Sequence, residues 1–246
     1  ANLRGARFLQ TDLTGADLSH TDLRGADFTG ALLIKVDLTG AQTEGALMHD
    51  VLTDAPHGTP VSALPRPFDF MLRDHRRWAD TQGADGQPMD LSGLDLRGTQ
   101  NLAYARLSAL RADKTTFAGL DMPGAELQAA HLAGADFRAV CLDHADLRGV
   151  KAPLGDFSGA SLVSTNFSPL LVTGGQKIVA DLTLARFRHA NLTGANLSGA
   201  VLRDADLTGA VLNNADLRDA DLRGAVLDAA TLEGARIEGA QFGAAP

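Results

Sequence analysis

An apolar residue recurs every five positions through the last quarter of the chain. The series comprises Leu182, Phe187, Leu192, Leu197, Leu202, Leu207, Leu212, Leu217, Leu222, Leu227, Leu232, Ile237 and Phe242. An alanine lies two residues before each of them, and the unit reads A-(D/N)-L-x-x. A helix face repeats about every 3.6 residues and a strand face every 2. The period of five therefore fits neither a long helix nor a long strand.

The spacing within one unit indicates how the chain must run. Alanine and leucine are two residues apart, so a short extended segment directs both to the same side. The remaining positions often hold Gly, Ser or Asn, which tight turns favour. A leucine in so short a segment is buried only if other units cover it, so the chain must coil and stack on itself. The pattern predicts an all-β solenoid.

These repeats resemble those of the pentapeptide-repeat family. The resemblance covers most of the chain and implies a right-handed quadrilateral β-helix, with four repeats per coil and about ten coils here. In that fold, the leucine or phenylalanine of each repeat and its small residue point inward. Four repeats per coil predicts that residues twenty apart stack. We expect three phenylalanine columns on this basis: Phe8 on Phe28; Phe117, Phe137 and Phe157 in one series; and Phe167 on Phe187.

The repeat is interrupted, and this gives a prediction of domain organisation. Residues 1–53 form a first pentapeptide-repeat block, 54–88 a Pro-rich insertion, and 89–246 a second block, all in one continuous solenoid domain. The second block is irregular near 98–102, where one extra residue predicts a bulge, and near 168–179. The latter segment has the Gly174-Gly175 pair of a small hairpin. We nevertheless favour a locally distorted coil with residues 174–177 pushed outward, because the fivefold phase survives.

The insertion contains one predicted α-helix. Residues 55–67 are expected to form a loop, followed by a helix over 68–80 whose apolar residues recur at helical spacing. Asp69 is its expected N-cap and Gly83 its expected C′ residue. So short a helix is marginal alone, so we expect it to pack on the solenoid wall and to shield Trp78. A similar H-R-x-W segment accompanies the repeats in other members of the family, with no function implied.

Residues suited to catalysis are sparse, and we predict that the chain is not an enzyme. Residues 173–177 lack the pattern of a phosphate-binding loop, and the histidines lack metal-ligand spacing. Cys141 has no local activator beyond His144. We therefore expect no cofactor and no metal. The one concentrated basic and aromatic cluster is Arg73, Arg76, Arg77 and Trp78, a candidate partner-binding element. The alternative is a helix packed on the wall, its arginines paired with surface Asp.

We favour a non-enzymatic protein-interaction scaffold that presents rigid β-helix faces. The resemblance also implies an alternative, because some pentapeptide-repeat proteins mimic B-form DNA, bind type II topoisomerases such as gyrase, and protect them from quinolones. About ten coils spaced roughly 4.8 Å apart give a rod of about 50 Å. Duplex DNA of that length carries about thirty charges, whereas the net charge here is −8. The charge therefore disfavours the DNA-mimic hypothesis.

The same features predict the kind of partner. We expect another protein, because the negative net charge opposes direct nucleic-acid binding. Membrane insertion is not expected without a long apolar run. The single cysteine fits a reducing cytoplasm. The repeat continues to Phe242, and an uncapped coil edge favours end-to-end homo-oligomers. The sequence begins at Ala1 within a repeat and without Met, so we expect the native N-terminus to lie upstream.

Overall fold

The computed structural model describes residues 1–55, 57–99 and 101–243. The chain divides into two compact units, Ala1–His57 and Gly58–Pro246. The described residues are mostly β, with one α-helix. The elements in chain order are β1 (Leu32–Leu33), β2 (Leu52–Thr53), β3 (Thr59–Pro60), a 3₁₀ turn (Val61–Ala63), α1 (Phe68–Asp80), β4 (Leu94–Asp95), β5 (Leu170–Leu171) and β6 (Lys177–Ile178). None of the described helical segments is long and apolar enough to cross a membrane.

Parallel pairing between residues twenty apart builds both units. In the first unit Asn2 pairs with Asp22, and β1 pairs with β2. In the second, Arg106 pairs with Glu126 and so on along the chain. Most of these pairs are single bridges, because each repeat has only one or two extended residues before its corner. We call a wall the series of outward residues that follow one another in one ladder, such as Asn191, Val211 and Thr231.

The inward residues form continuous columns, as the five-residue period predicts. Leucine centres and the alanines two positions before them are almost completely buried through the middle of the second unit. Two of the predicted phenylalanine columns are confirmed. Phe8 stacks on Phe28 with ring centroids 4.9 Å apart. Phe137 lies between Phe117 at 4.6 Å and Phe157 at 4.8 Å.

Residues 169–178 leave the ladder as a β-hairpin, so the expected distorted coil is wrong. Strands β5 and β6 pair antiparallel. A residue before the hairpin pairs with the residue thirty positions later, after the hairpin, as Asp156 does with Arg186. Phe187 accordingly stacks on Phe157 at 4.9 Å, and the predicted Phe167–Phe187 column is also wrong. Pairing of β5 with β6 and the bond from the Val172 N–H to the Gln176 carbonyl satisfy backbone groups within the hairpin. The hairpin also keeps Lys177 exposed and out of a buried centre, where an unpaired charge would be costly.

The hairpin consists of ten residues that lie outside the coil, which is the length of two repeats. This leads to a prediction. Deleting residues 169–178 would join position 168 to 179 and restore the twenty-residue spacing. Since the flanking ladder is already built for that spacing, we expect the free energy of unfolding to change by no more than about 1 kcal/mol. Urea denaturation of the deletion variant checks this. Loss of cooperative unfolding would show that the hairpin is required by the coil.

The insertion is divided between the two units. His57 belongs to the first, whereas β3, the 3₁₀ turn and α1 belong to the second. Strand β3 adds to the second unit by parallel pairing with β4. The next pairs, Asp90 with Arg111 and Asp95 with Thr116, are twenty-one residues apart. One extra residue therefore lies between Asp95 and Arg106.

Three stretches for which the sequence made predictions lie outside the described residues. They are Pro56 in the predicted loop 55–67, Gln100 within the predicted bulge at 98–102, and residues 244–246 at the end of the second block.

Candidate partner-binding surface

Helix α1 carries the predicted cluster, and its span is the predicted one. Its caps differ from those predicted. The N-cap position is Pro67, without a side-chain hydrogen bond, and Asp69 lies within the first turn. The proline carbonyl already accepts the first helical bonds, from Phe70 and Met71. At the other end Gly83 donates to the Trp78 carbonyl at 2.9 Å, and Gln82 has the positive φ of 52°. Gln82 therefore occupies the C′ position of a Schellman motif, and Gly83 follows it.

The helix packs on the second unit through one apolar side. Phe68, Met71 and Leu72 lie against the apolar core of that unit. His75 is fully buried, and its Nδ1 accepts a hydrogen bond from the Met89 backbone N–H at 3.0 Å. Burial lowers the pKa of His75 because the charged imidazolium would lose its hydration. The predicted packing is confirmed, and His75 is the ring that it buries.

Trp78 covers this histidine from outside. The indole is half-buried and stacks on the His75 ring with centroids 5.5 Å apart. Gly83 lies close beside it, since a Cβ there would be 3.3 Å from the indole Nε1. The expectation that packing shields Trp78 is therefore met only in part. The role of this side chain is to seal the helix contact.

The arginines of the cluster divide into two groups. Arg77 donates to the buried Asp74 carboxylate at 2.5 Å. Arg66 approaches the same carboxylate at 3.8 Å, and its guanidinium lies 5.3 Å from the centre of the Phe70 ring. Arg77 compensates the charge of the buried Asp74 within the helix, because the two residues lie three positions apart on α1. Arg77 is therefore engaged inside the insertion, where Trp78 covers His75.

Arg73 and Arg76 line a groove between α1 and the repeat coil, which we call the α1 groove. Its volume is about 230 Å³. Its lining residues are Leu72, Arg73, Arg76, Tyr104, Ala105 and Arg106. Asp80 approaches the Arg76 guanidinium at 3.7 Å and also pairs with Arg106. Arg73 is exposed, and its side chain makes no ion pair or hydrogen bond within the described parts of the chain.

Tyr104 forms the opposite side of the α1 groove and was not predicted. It is 76% exposed and occupies a corner with a φ of 57°, a conformation that Gly adopts at many other corners. Its ring lies over Gly124 one coil further on, since a Cβ at Gly124 would be 2.5 Å from the tyrosine Cδ1. Its signal in the sequence is a large aromatic residue where the repeat usually has a small or polar one.

Carboxylates on the walls are mostly engaged by arginine. In units that read D-L-R, the Asp accepts the backbone N–H of the Arg and pairs with its guanidinium, as Asp146 does with Arg148 at 2.7 Å. The Arg24 side chain lowers the pKa of Asp22 to about 2 by such a contact. Arg223 and Arg203 together hold the pKa of Asp221 well below its usual range. These pairs reduce the negative charge that the walls present.

The ladder, the buried columns and the five-residue register define a repeat protein of the pentapeptide class. The sequence profile described as "Pentapeptide repeats" matches in eight copies, over residues 1–30, 11–50, 113–149, 180–219 and 205–243. These matches cover more than half of the chain. The chain belongs to the pentapeptide-repeat family. No curated protein matches it significantly.

Among solved structures, the chain is similar to other pentapeptide-repeat proteins. Rfr23 from the cyanobacterium Cyanothece 51142 is 29% identical over 50% of this chain, with a TM-score of 0.32. The match covers 64% of that protein, which is less than two thirds of its length. HetL from Nostoc sp. strain PCC 7120, involved in heterocyst differentiation regulation, is 27% identical over 97% of this chain and 88% of its own, with a TM-score of 0.25.

QnrB1, a plasmid-mediated fluoroquinolone resistance protein, is 17% identical over 98% of this chain and 86% of its own, with a TM-score of 0.37. At these TM-scores the superpositions carry no argument about function.

Proposed function

We propose that the protein is a non-enzymatic interaction scaffold whose walls bind another protein. The observation that carries the proposal is the parallel pairing of outward residues along each ladder, twenty positions apart except at the one extra residue after Asp95 and across the hairpin. Such a wall presents side chains at fixed spacing on a backbone whose N–H and C=O groups are already bonded. Pentapeptide-repeat proteins are generally structural or interaction proteins, which supports this reading. We further propose the family's right-handed quadrilateral coil, with about ten coils.

The second candidate is a DNA mimic that binds gyrase and confers quinolone protection. A mimic must present rows of unneutralised negative charge. Here the net charge is only −8, and wall carboxylates such as Asp216 and Asp221 are paired with Arg218 and Arg223. The charge and the pairing favour the general scaffold over the DNA mimic.

This ranking leads to a prediction for gyrase. Micromolar protein is expected to leave supercoiling by purified gyrase unchanged, because its walls cannot reproduce the charge density of duplex DNA. It should also give no protection from a quinolone. A supercoiling assay with and without the drug checks both statements. Inhibition of supercoiling, or rescue from the drug, would restore the DNA-mimic hypothesis.

The scaffold proposal is tested by capture on the immobilised full chain. A specific partner should be retained from an extract of the cells that produce the protein. An excess of free chain should displace it, whereas an equal mass of an unrelated acidic protein should not. Equal displacement by both would show retention by bulk charge, and would overturn the proposal. So would the absence of any retained protein.

Two narrower proposals concern the state of the protein in the cell. We propose a reducing compartment such as the cytoplasm, because the single cysteine, Cys141, has no partner for an intramolecular disulfide. Cell fractionation with an antibody checks this, and recovery from an oxidising compartment would contradict it. Pairing of copies through coil edges is the second proposal, and a monomeric mass by light scattering would refute it.

A further inference from the structure

We propose that the α1 groove binds an acidic peptide segment of a partner protein. The inference rests on the proposed function in one respect, that the partner is a protein. It adds a second contact site, on the helix side, to the walls. The α1 groove is the place where the second unit brings together three arginines, a tyrosine and a small apolar floor.

The charge of the α1 groove is the first argument. Arg73, Arg76 and Arg106 all line it. Their nearby acids are Asp80, which Arg76 and Arg106 share, and Glu126, which lies 3.5 Å from Arg106. Arg73 has no counter-ion among the described residues. The α1 groove therefore holds a surplus of positive charge on a chain whose net charge is −8, and it attracts carboxylates, which guanidinium groups bind in bidentate geometry.

Tyr104 is the second argument. A bulky residue with positive φ costs about 1–2 kcal/mol relative to an ordinary conformation. The ring is also left 76% exposed. It contacts Gly124 on one ring face, as His189 contacts Gly209 at another corner of positive φ, so the feature that sets Tyr104 apart is its exposed aromatic ring. Aromatic residues beside arginine are typical of binding hot spots, and the exposed ring gives a peptide side chain a surface to pack on.

The extent of the positive surface decides between a peptide and a nucleic acid. A nucleic acid needs cations along several phosphates. Here three arginines share one groove of about 230 Å³, and the hollow that adjoins it at Arg73 and Arg76 is lined by Arg77 and also by the acidic Asp74. A longer polyanion would extend over walls that carry the net negative charge and would be repelled. A short segment with two or three carboxylates around one apolar residue fits both the arginines and the floor formed by Leu72 and Ala105.

The test uses a fluorescein-labelled six-residue peptide of three glutamates, one leucine and two glycines, with the full-length chain at low salt. Fluorescence anisotropy should show saturable binding that weakens as salt is raised. Arg73→Gln should weaken it about fivefold, equivalent to about 1 kcal/mol. Arg73→Gln combined with Arg76→Gln should weaken it more than tenfold.

Arg186→Gln is the matched control, because it removes the same charge from an exposed arginine on a wall. It should leave peptide binding unchanged, and the Trp78 emission of each variant reports that α1 stays docked. If Arg186→Gln weakened peptide binding as much as Arg73→Gln does, or if the unaltered chain did not bind the peptide, the proposal would be overturned. Tighter binding of single-stranded DNA through Arg73 would overturn it in favour of a nucleic acid. A partner captured equally by the Arg73→Gln chain would refute the α1 groove and leave the wall proposal standing.

Discussion

Replacing Phe137 with alanine is expected to lower the free energy of unfolding by about 3–5 kcal/mol. Phe137 is fully buried and lies between two parallel rings, Phe117 at 4.6 Å and Phe157 at 4.8 Å. Truncation would remove contacts with both neighbours and leave a cavity that the bonded ladder cannot close. Because each coil is stabilised by its neighbours, a defect in the middle of the column weakens the coils on both sides.

Two further substitutions make this measurement specific. Phe137→Leu should cost less, about 1–1.5 kcal/mol, because leucine is the usual centre of the repeat. Phe242→Ala is the matched control, since that ring is 47% exposed and its loss should cost under about 1 kcal/mol. Urea denaturation followed by far-UV circular dichroism gives all three values. Similar losses for Phe137→Ala and Phe242→Ala would contradict the stacked column.

The second large effect is expected at His75, which joins α1 to the repeat coil through Met89. His75→Ala removes a fully buried ring and leaves the Met89 N–H without its acceptor. An unsatisfied buried donor alone costs about 1–3 kcal/mol. We therefore expect α1 to detach while the ladder stays folded. Trp78 emission should shift to the red and become open to acrylamide, with little change in the β signal.

Acid should produce part of the same effect in the unaltered chain. The pKa of His75 is lowered in the folded state, so below pH 6.5 the unfolded segment binds the proton more readily. The stabilisation that neutral His75 gives to the docked helix is complete above pH 6.5, and it is lost as the pH falls from there through the folded pKa. His75→Gln keeps an acceptor for Met89 and does not titrate, so its Trp78 emission should respond less to this change. Identical pH profiles for the two proteins would contradict the role of His75.

The register of the repeat allowed much of the fold to be predicted. The period of five fixes which residues are buried, and a stacking period of twenty follows once four repeats per coil are assumed. The hairpin at 169–178 could not be found in this way. It removes two complete repeats, so Phe167 and Leu182 keep the same phase whether or not the chain leaves the ladder between them. The antiparallel pairing of β5 with β6, the thirty-residue pairing across the hairpin and the stacking of Phe187 on Phe157 distinguish the two arrangements.

The candidate site was predicted to a smaller extent. Arg73 and Arg76 stand out because the helix concentrates basic residues in an otherwise acidic chain. Tyr104 and Arg106 belong to a regular stretch of the repeat, and their place beside α1 depends on how the helix packs. Trp78 was the ring expected to be shielded, whereas the packing buries His75 more deeply. The helical spacing of His75 with Phe68 and Leu72 indicates that it faces the coil, but not that its ring accepts a hydrogen bond from Met89.

The claim that walls of this protein bind a partner is tested most directly by hydroxyl-radical footprinting of the full chain with the captured protein. Binding to a wall should protect outward side chains that recur twenty residues apart in one ladder, such as Val211 and Thr231. The intervening walls should stay reactive. Protection confined to the hairpin at 169–178, or scattered without the twenty-residue period, would contradict the account.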